Sequence, residues 1–285
     1  MRNFNDYFIG LKPIFDTITF EIKMQRKKFY AFLIIEFIII ILTTITYELT
    51  PSILQQTTQL QFFSNNLIFV SQFLALFVAI LFFSGIICSE FDKKTGHIVF
   101  PKINKYKLIV GKYLGNLVLV VTIITVFYVM LSILGIYYFE VSINIRFFYS
   151  YGIALLYISV LSSFVTFFSS FMKSVTLTIV ITLVLLLIVF NIVQMLLTFA
   201  FNGSFEPLYS LTYIGSLITT ILEIPFPDPR YTEIGLGGMG PVGSGGDGTI
   251  RFWITPSIAM GITMMFLYIV VFFIFAALLF KRRQL

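Results

Sequence analysis

Long apolar runs, separated by short stretches rich in Lys, Pro, Gly and Asn, set the plan of this chain. Six runs are long enough to cross a hydrocarbon layer of about 30 Å, which takes roughly 20 helical residues. They cover 29–48, 67–89, 108–138, 148–171, 175–201 and 253–280. Phe and β-branched residues crowd the runs, yet strands cross lipid only as closed barrels whose residues alternate apolar and polar. Ile179 to Phe190 has no such alternation, so the runs predict helices. The expected fold class is an all-α membrane protein, with a six-span domain over 29–285.

The polar stretches orient these spans. Sixteen Lys and Arg residues fall in 1–28, in the second-to-third connection through Lys112, at Lys173 and at the C-terminus; only Arg146, Arg230 and Arg251 fall on the opposite side. Basic residues are retained on the cytoplasmic side, so both termini are expected there, in a multi-pass protein of the cell membrane. The formal net charge of +6 then reflects topology and contact with anionic lipid, and nucleic acid is not an expected partner. Within 1–28, Leu11, Phe15, Ile18 and Ile22 recur at helical spacing, and Pro13 suits a first turn. The segment predicts an amphipathic surface helix, either a simple anchor or a lever against a cytoplasmic partner. No small-residue cleavage site follows the first run, so it reads as a retained span.

Composition agrees with lipid as the solvent. Only 11% of residues are charged and 58% are hydrophobic, against about 25% charged in soluble domains. The single cysteine, Cys88, excludes an intrachain disulfide framework and reads as a buried thiol. His97, the single histidine, is better suited to packing or a partner hydrogen bond than to a metal or catalysis. No catalytic, cofactor or metal set emerges, and no GxxxxGK[ST] phosphate loop occurs.

Polar groups inside the spans carry alternatives. Glu36 lies roughly 12 Å along a helix from Lys28, where an ionisable group is expensive. It reads as a substrate contact, a proton site, a subunit contact or a carboxyl packed between helices. Asn191 and Gln194 share one face of the fifth span and either line a path or join helices across a dimer interface. Gly111 and Gly115 form a GxxxG close-packing pattern.

The external region 202–252 predicts a short helix within Pro207 to Glu223, stopped by Pro225, Pro227 and Pro229. A loosely ordered glycine-rich stretch over 235–248 is expected after it. Gly235 to Gly240 matches GxGxxG by letter but lacks the flanking strand and helix that a dinucleotide site needs. Asn202-Gly203-Ser204 is an N-glycosylation acceptor pattern.

The cytoplasmic loop 90–107 mixes the apolar triplet Ile98, Val99 and Phe100 with many charges, as a protein docking surface does. Glu90, Thr95, Gly96, the triplet, Pro101, Lys105 and Gly111-Lys112 follow in an order that resembles the permeases of type-2 ABC transporters. Thr-Gly replaces the Gly-Thr of many relatives, and Lys105 or Lys107 stands where many have Arg. The six-span layout, with a surface helix before it and a large last external loop, is similar too. The resemblance implies a coupling helix between spans two and three. Glu90, Thr95, Gly96, Ile98, Val99, Phe100 and Pro101 would seat it in a separate ATP-binding subunit that carries ATP and Mg. It also implies an exporter built from a homodimer or a pair of permeases, with no enzymatic activity in this chain. The competing readings are an ion- or proton-driven secondary transporter, disfavoured by the absence of paired intramembrane charges or repeated halves, and a membrane scaffold.

Overall fold

A computed structural model describes residues 4–92, 105–235 and 249–282. Six of its helices are long and apolar enough to cross a membrane: Lys12–Leu49, Gln59–Glu90, Lys107–Phe139, Ile145–Phe171, Val175–Ala200 and Ile258–Phe280. They are spans one to six below.

Helix α1 runs unbroken from Phe4 to Leu49. The separate surface helix expected over 1–28 is therefore not a separate element. Neither Gly nor Pro occurs between Ile14 and Thr50, so nothing interrupts the hydrogen-bond ladder until Thr50-Pro51 ends it. Pro13 sits inside the helix instead of in its first turn. A short helix α2, Pro51–Gln56, leads to span two.

Span two begins at Gln59, eight residues before the expected start. Thr58 and Gln61 form a reciprocal capping box that nucleates helix α3, Gln59–Phe69. Asn66 is neutralised by donating to the Phe62 carbonyl. A π-helical turn, Val70–Leu74, separates α3 from α4, Ala75–Phe83, and the short helix α5, Cys88–Asp92, closes the span.

Span three belongs to α6, Lys105–Phe139. Span four is α7, Ile145–Phe171, capped by the Asn144 side chain. Span five joins α8, Val175–Val184, to α9, Phe190–Ala200, through a second π-helical turn at Leu185–Val189. Span six is α12, Ile258–Arg282. It starts later than the expected residue 253, because Trp253 ends a strand and Pro256 follows.

The 202–252 region holds two short helices, α10 (Leu211–Gly215) and α11 (Leu217–Thr220), in place of one. Strands β1 (Tyr231–Gly235) and β2 (Thr249–Trp253) form an antiparallel pair with Tyr231 opposite Trp253. That pair is a departure from the expected loop. Residues 236–248 lie outside the described residues.

Helices α1 and α6 run parallel in constant register. Thr17 lies beside Gly111 at one end, and the Tyr138 hydroxyl donates to the Thr44 carbonyl at the other, the same 94-residue offset. The two glycines permit this approach, since a Cβ on Gly111 would stand 2.7 Å from Thr17 Cβ and one on Gly115 3.0 Å from Glu21 Cβ. The close-packing reading of the GxxxG pattern is thus met, with α1 as the partner.

Spans two and four form the centre, with Leu67, Phe83, Tyr157 and Leu161 fully buried. Spans one, five and six turn most of their apolar side chains outward, among them Ile34, Phe37, Leu196 and Phe266. In a bilayer that surface faces lipid or another chain, since hydrocarbon replaces water as its solvent.

Candidate functional site

At the lysine-rich end, three charged side chains from three elements converge. Lys112, in the first turns of span three, pairs with Glu90 of α5 and lies 3.6 Å from Glu21 of α1. The side chains are only 8%, 12% and 2% exposed respectively. Glu21 reaches this point because Gly115 lets α1 approach α6, and Glu90 because α5 turns beneath span two. Cys88, on the same short helix, is buried and lies 3.6 Å from the Thr178 hydroxyl of span five, as a packed thiol. Ser169 of span four accepts from the backbone amides of Ile87 and Cys88, both at 3.1 Å. The base of the loop that leaves α5 is therefore tied to spans one, three, four and five.

A cleft of about 770 Å³ opens beside the cluster, between α1, the lower end of span two and the start of span three. Lys28 donates to the Leu81 carbonyl at 3.0 Å along it, and Phe32 and Phe82 pack at 6.0 Å just beyond. Glu21 Oε1 and Asn116 Oδ1 are buried on its wall, with Lys112 Nζ 3.6 Å from the Glu21 oxygen.

Of the residues singled out from the sequence, Glu90 joins this cluster. Thr95, Gly96, Ile98, Val99, Phe100 and Pro101, with His97, lie outside the described residues. Glu36 is completely buried in the middle of span one, and neither carboxyl oxygen has a hydrogen-bond partner. Asn191 is exposed on span five and donates to the Leu187 carbonyl at 2.8 Å, while Gln194 is half-buried.

Glu21, Lys112 as an ion-pair centre, and Asn116 were not legible as a site. The available signal was Thr17 and Glu21, one turn apart on the face of α1 away from the apolar stripe. That face is the buried one, and Phe15 of the stripe is exposed. Gln72 is a further omission: it sits in the π-helical turn of span two and is exposed.

The opposite end is capped by the 202–252 region. Glu206 accepts from Tyr213 at 3.1 Å and pairs with Arg230 at 2.8 Å. Burial first, and then the Glu206 carboxylate, push the Tyr213 hydroxyl above its ordinary range. Arg230 also stacks 5.5 Å over Trp253, whose indole donates to the Gly203 carbonyl at 2.8 Å. Gly203 has a positive φ of 69°, and a Cβ there would overlap the Arg251 carbonyl oxygen at 1.9 Å. Only glycine fits.

No curated protein matches the chain. The family model described as ABC-2 family transporter protein matches residues 15–278, from two residues after Pro13 to near the end of span six. With six membrane-length helices under that match, the chain belongs to the ABC-2 transporter family, as a multi-pass membrane subunit.

Proposed function

We propose that this chain is the permease of an ATP-driven exporter and takes its power stroke from a separate ATP-binding subunit, which holds ATP and Mg. The observation that carries the reading is the Glu90–Lys112–Glu21 cluster at the base of loop 90–107, within a chain of this family. A push on the loop displaces α5, and through Lys112 it loads both α1 and span three. Ile98, Val99, Phe100 and Pro101, with Thr95 and Gly96 at the turn, are the proposed docking element. The N-terminal helix acts as a lever continuous with span one, with both termini in the cytoplasm.

The permease works as a pair, a homodimer or two related chains, in the cell membrane. Supporting this are Gln72 and Asn191, exposed carboxamides at or beside the two π-helical turns. Both lie roughly 20–24 Å of helix outward from the point where Cys88 meets Thr178. Such groups are poorly solvated by lipid and suit a polar path or the face of a second subunit, with Gln194 beside them. π-Helical turns are frequent at functional sites.

The test is co-purification with the ATPase subunit after replacing Ile98, Val99 and Phe100 together with Asp. Capture and stimulated ATP hydrolysis are expected to disappear. Intact binding and hydrolysis in the triple variant would show that the subunit docks elsewhere.

A further inference from the structure

We propose that Glu36 is a proton-binding site in the middle of span one, loaded and emptied from the cleft past the Phe32–Phe82 pair. Its carboxyl is completely enclosed, and neither oxygen has a hydrogen-bond partner among the described residues. Buried polar groups almost always have one. An ionisable side chain kept at membrane depth without one is read first as functional.

The surroundings decide which cation it takes. Helix α1 meets span two at two contacts that bracket Glu36, Phe32 with Phe82 at 6.0 Å and Thr43 with Asn66 at 3.4 Å. Between them, from Leu67 to Leu81, span two has no titratable residue; Ser71 donates to the Ile68 carbonyl, and Gln72 is exposed. The constant offset between α1 and α6 sets Glu36 level with Met130. The titratable groups of span three near that level are tyrosines. Tyr128 is bonded through its hydroxyl to Ser150 of span four, and Tyr137 and Tyr138 lie two turns outward. On α1 itself, Tyr30 is exposed, and Lys28 is roughly 12 Å of helix away and donates to the Leu81 carbonyl.

A metal ion needs several oxygen ligands around it, and the cleft stops short of Glu36, at Lys28 and Phe82. A proton needs neither a cavity nor further ligands. A carboxylate without donors is far more expensive to enclose than the acid, so the packed arrangement holds one proton on Glu36.

The route to it is short. Glu36 is one turn beyond Phe32, about 6 Å along the helix, and Phe82 belongs to the cleft wall. The buried aromatic pair therefore separates the carboxyl from solvent in the cleft, and parting the two rings admits water. The proton then passes to that water and leaves a hydrated carboxylate behind. Because the packed arrangement holds one proton more, raising the pH favours the parted one.

The inference concerns span one and does not rest on the coupling reading. The full chain, reconstituted in lipid nanodiscs, is followed by infrared spectroscopy from mildly acidic to alkaline pH. At neutral pH the carbonyl band of a protonated carboxyl without hydrogen bonds is expected, and Glu36→Gln should remove it. Amide exchange over Phe32 to Ile40, corrected for the intrinsic effect of pH, should rise several-fold toward alkaline pH in the parent and stay flat in Glu36→Gln. Phe32→Ala should speed deuteration of the same carboxyl band at least tenfold. That variant keeps Glu36, which covers the case in which Glu36→Gln fails to fold. Absence of the band in the parent at neutral pH, its persistence in Glu36→Gln, or amide exchange in the parent that ignores pH overturns the proposal. Deuteration at the parent's rate in Phe32→Ala overturns the route through the aromatic pair.

Discussion

The two ends of the molecule use the same ion-pair chemistry in different surroundings. At the lysine-rich end, Lys112 and its two carboxylates are almost entirely enclosed. At the opposite end, Arg230–Glu206 is partly wet, with side chains 28% and 15% exposed, and Arg251–Glu233 is open to solvent at 49% and 44%. Removing one partner from an enclosed set strands a charge in a poor solvent, whereas water replaces the partner of an exposed pair. The enclosed set can therefore hold α1, α5 and α6 in one geometry, while the exposed pairs merely trim a cap already held by backbone and aromatic contacts. Glu36 lies between the ends as the limiting case, buried with no hydrogen-bond partner among the described residues.

The sharpest way to break this contrast is Lys112→Met, which leaves Glu21 and Glu90 facing each other. Thermal melting of the purified chain should show a loss of about 3–5 kcal/mol. Adding Glu21→Gln and Glu90→Gln to that variant should return most of it. Glu36→Leu should act in the opposite direction, raising stability by about 1–3 kcal/mol as a polar group loses its burial cost. The same variant should lower transport in proteoliposomes if the carboxyl serves the path, so a stability gain with unchanged transport would make Glu36 a packing residue. Arg230→Met removes a half-buried pair and the stacking on Trp253; it should cost about 1 kcal/mol. Arg251→Gln, at the wettest pair, should stay within about 0.5 kcal/mol of the parent. A cost at Arg251 equal to that at Lys112 would erase the distinction between the ends.

Legibility in the sequence followed the range of the interaction concerned. The spans were readable because length and hydropathy are local, and the late start expected for span two came from Gln59 to Asn66. Those residues look too polar for a membrane helix until the capping box and the Asn66 bond are seen. The continuity of α1 was also present in the sequence, as the lack of Gly and Pro after Pro13. Its packed side was not: Thr17 and Glu21 are buried there beside the half-buried Ile18 and Ile22, while Phe15 of the apolar stripe is exposed.

Composition and charge distribution by themselves determined a helical membrane protein with six spans, because apolar length and the lack of alternation leave lipid no other solution. The order of groups from Glu90 to Lys112 was enough to resemble the family to which the chain belongs. Only the tertiary structure decided that Glu21, Glu90 and Lys112 meet. Their separations along the chain carry no distance information, and the meeting depends on two glycines that let α1 lie against α6. The cleft beside them follows from the same packing: α1 is held close to span three, and the space it leaves toward span two is lined by Glu21, Glu90, Lys112 and Asn116.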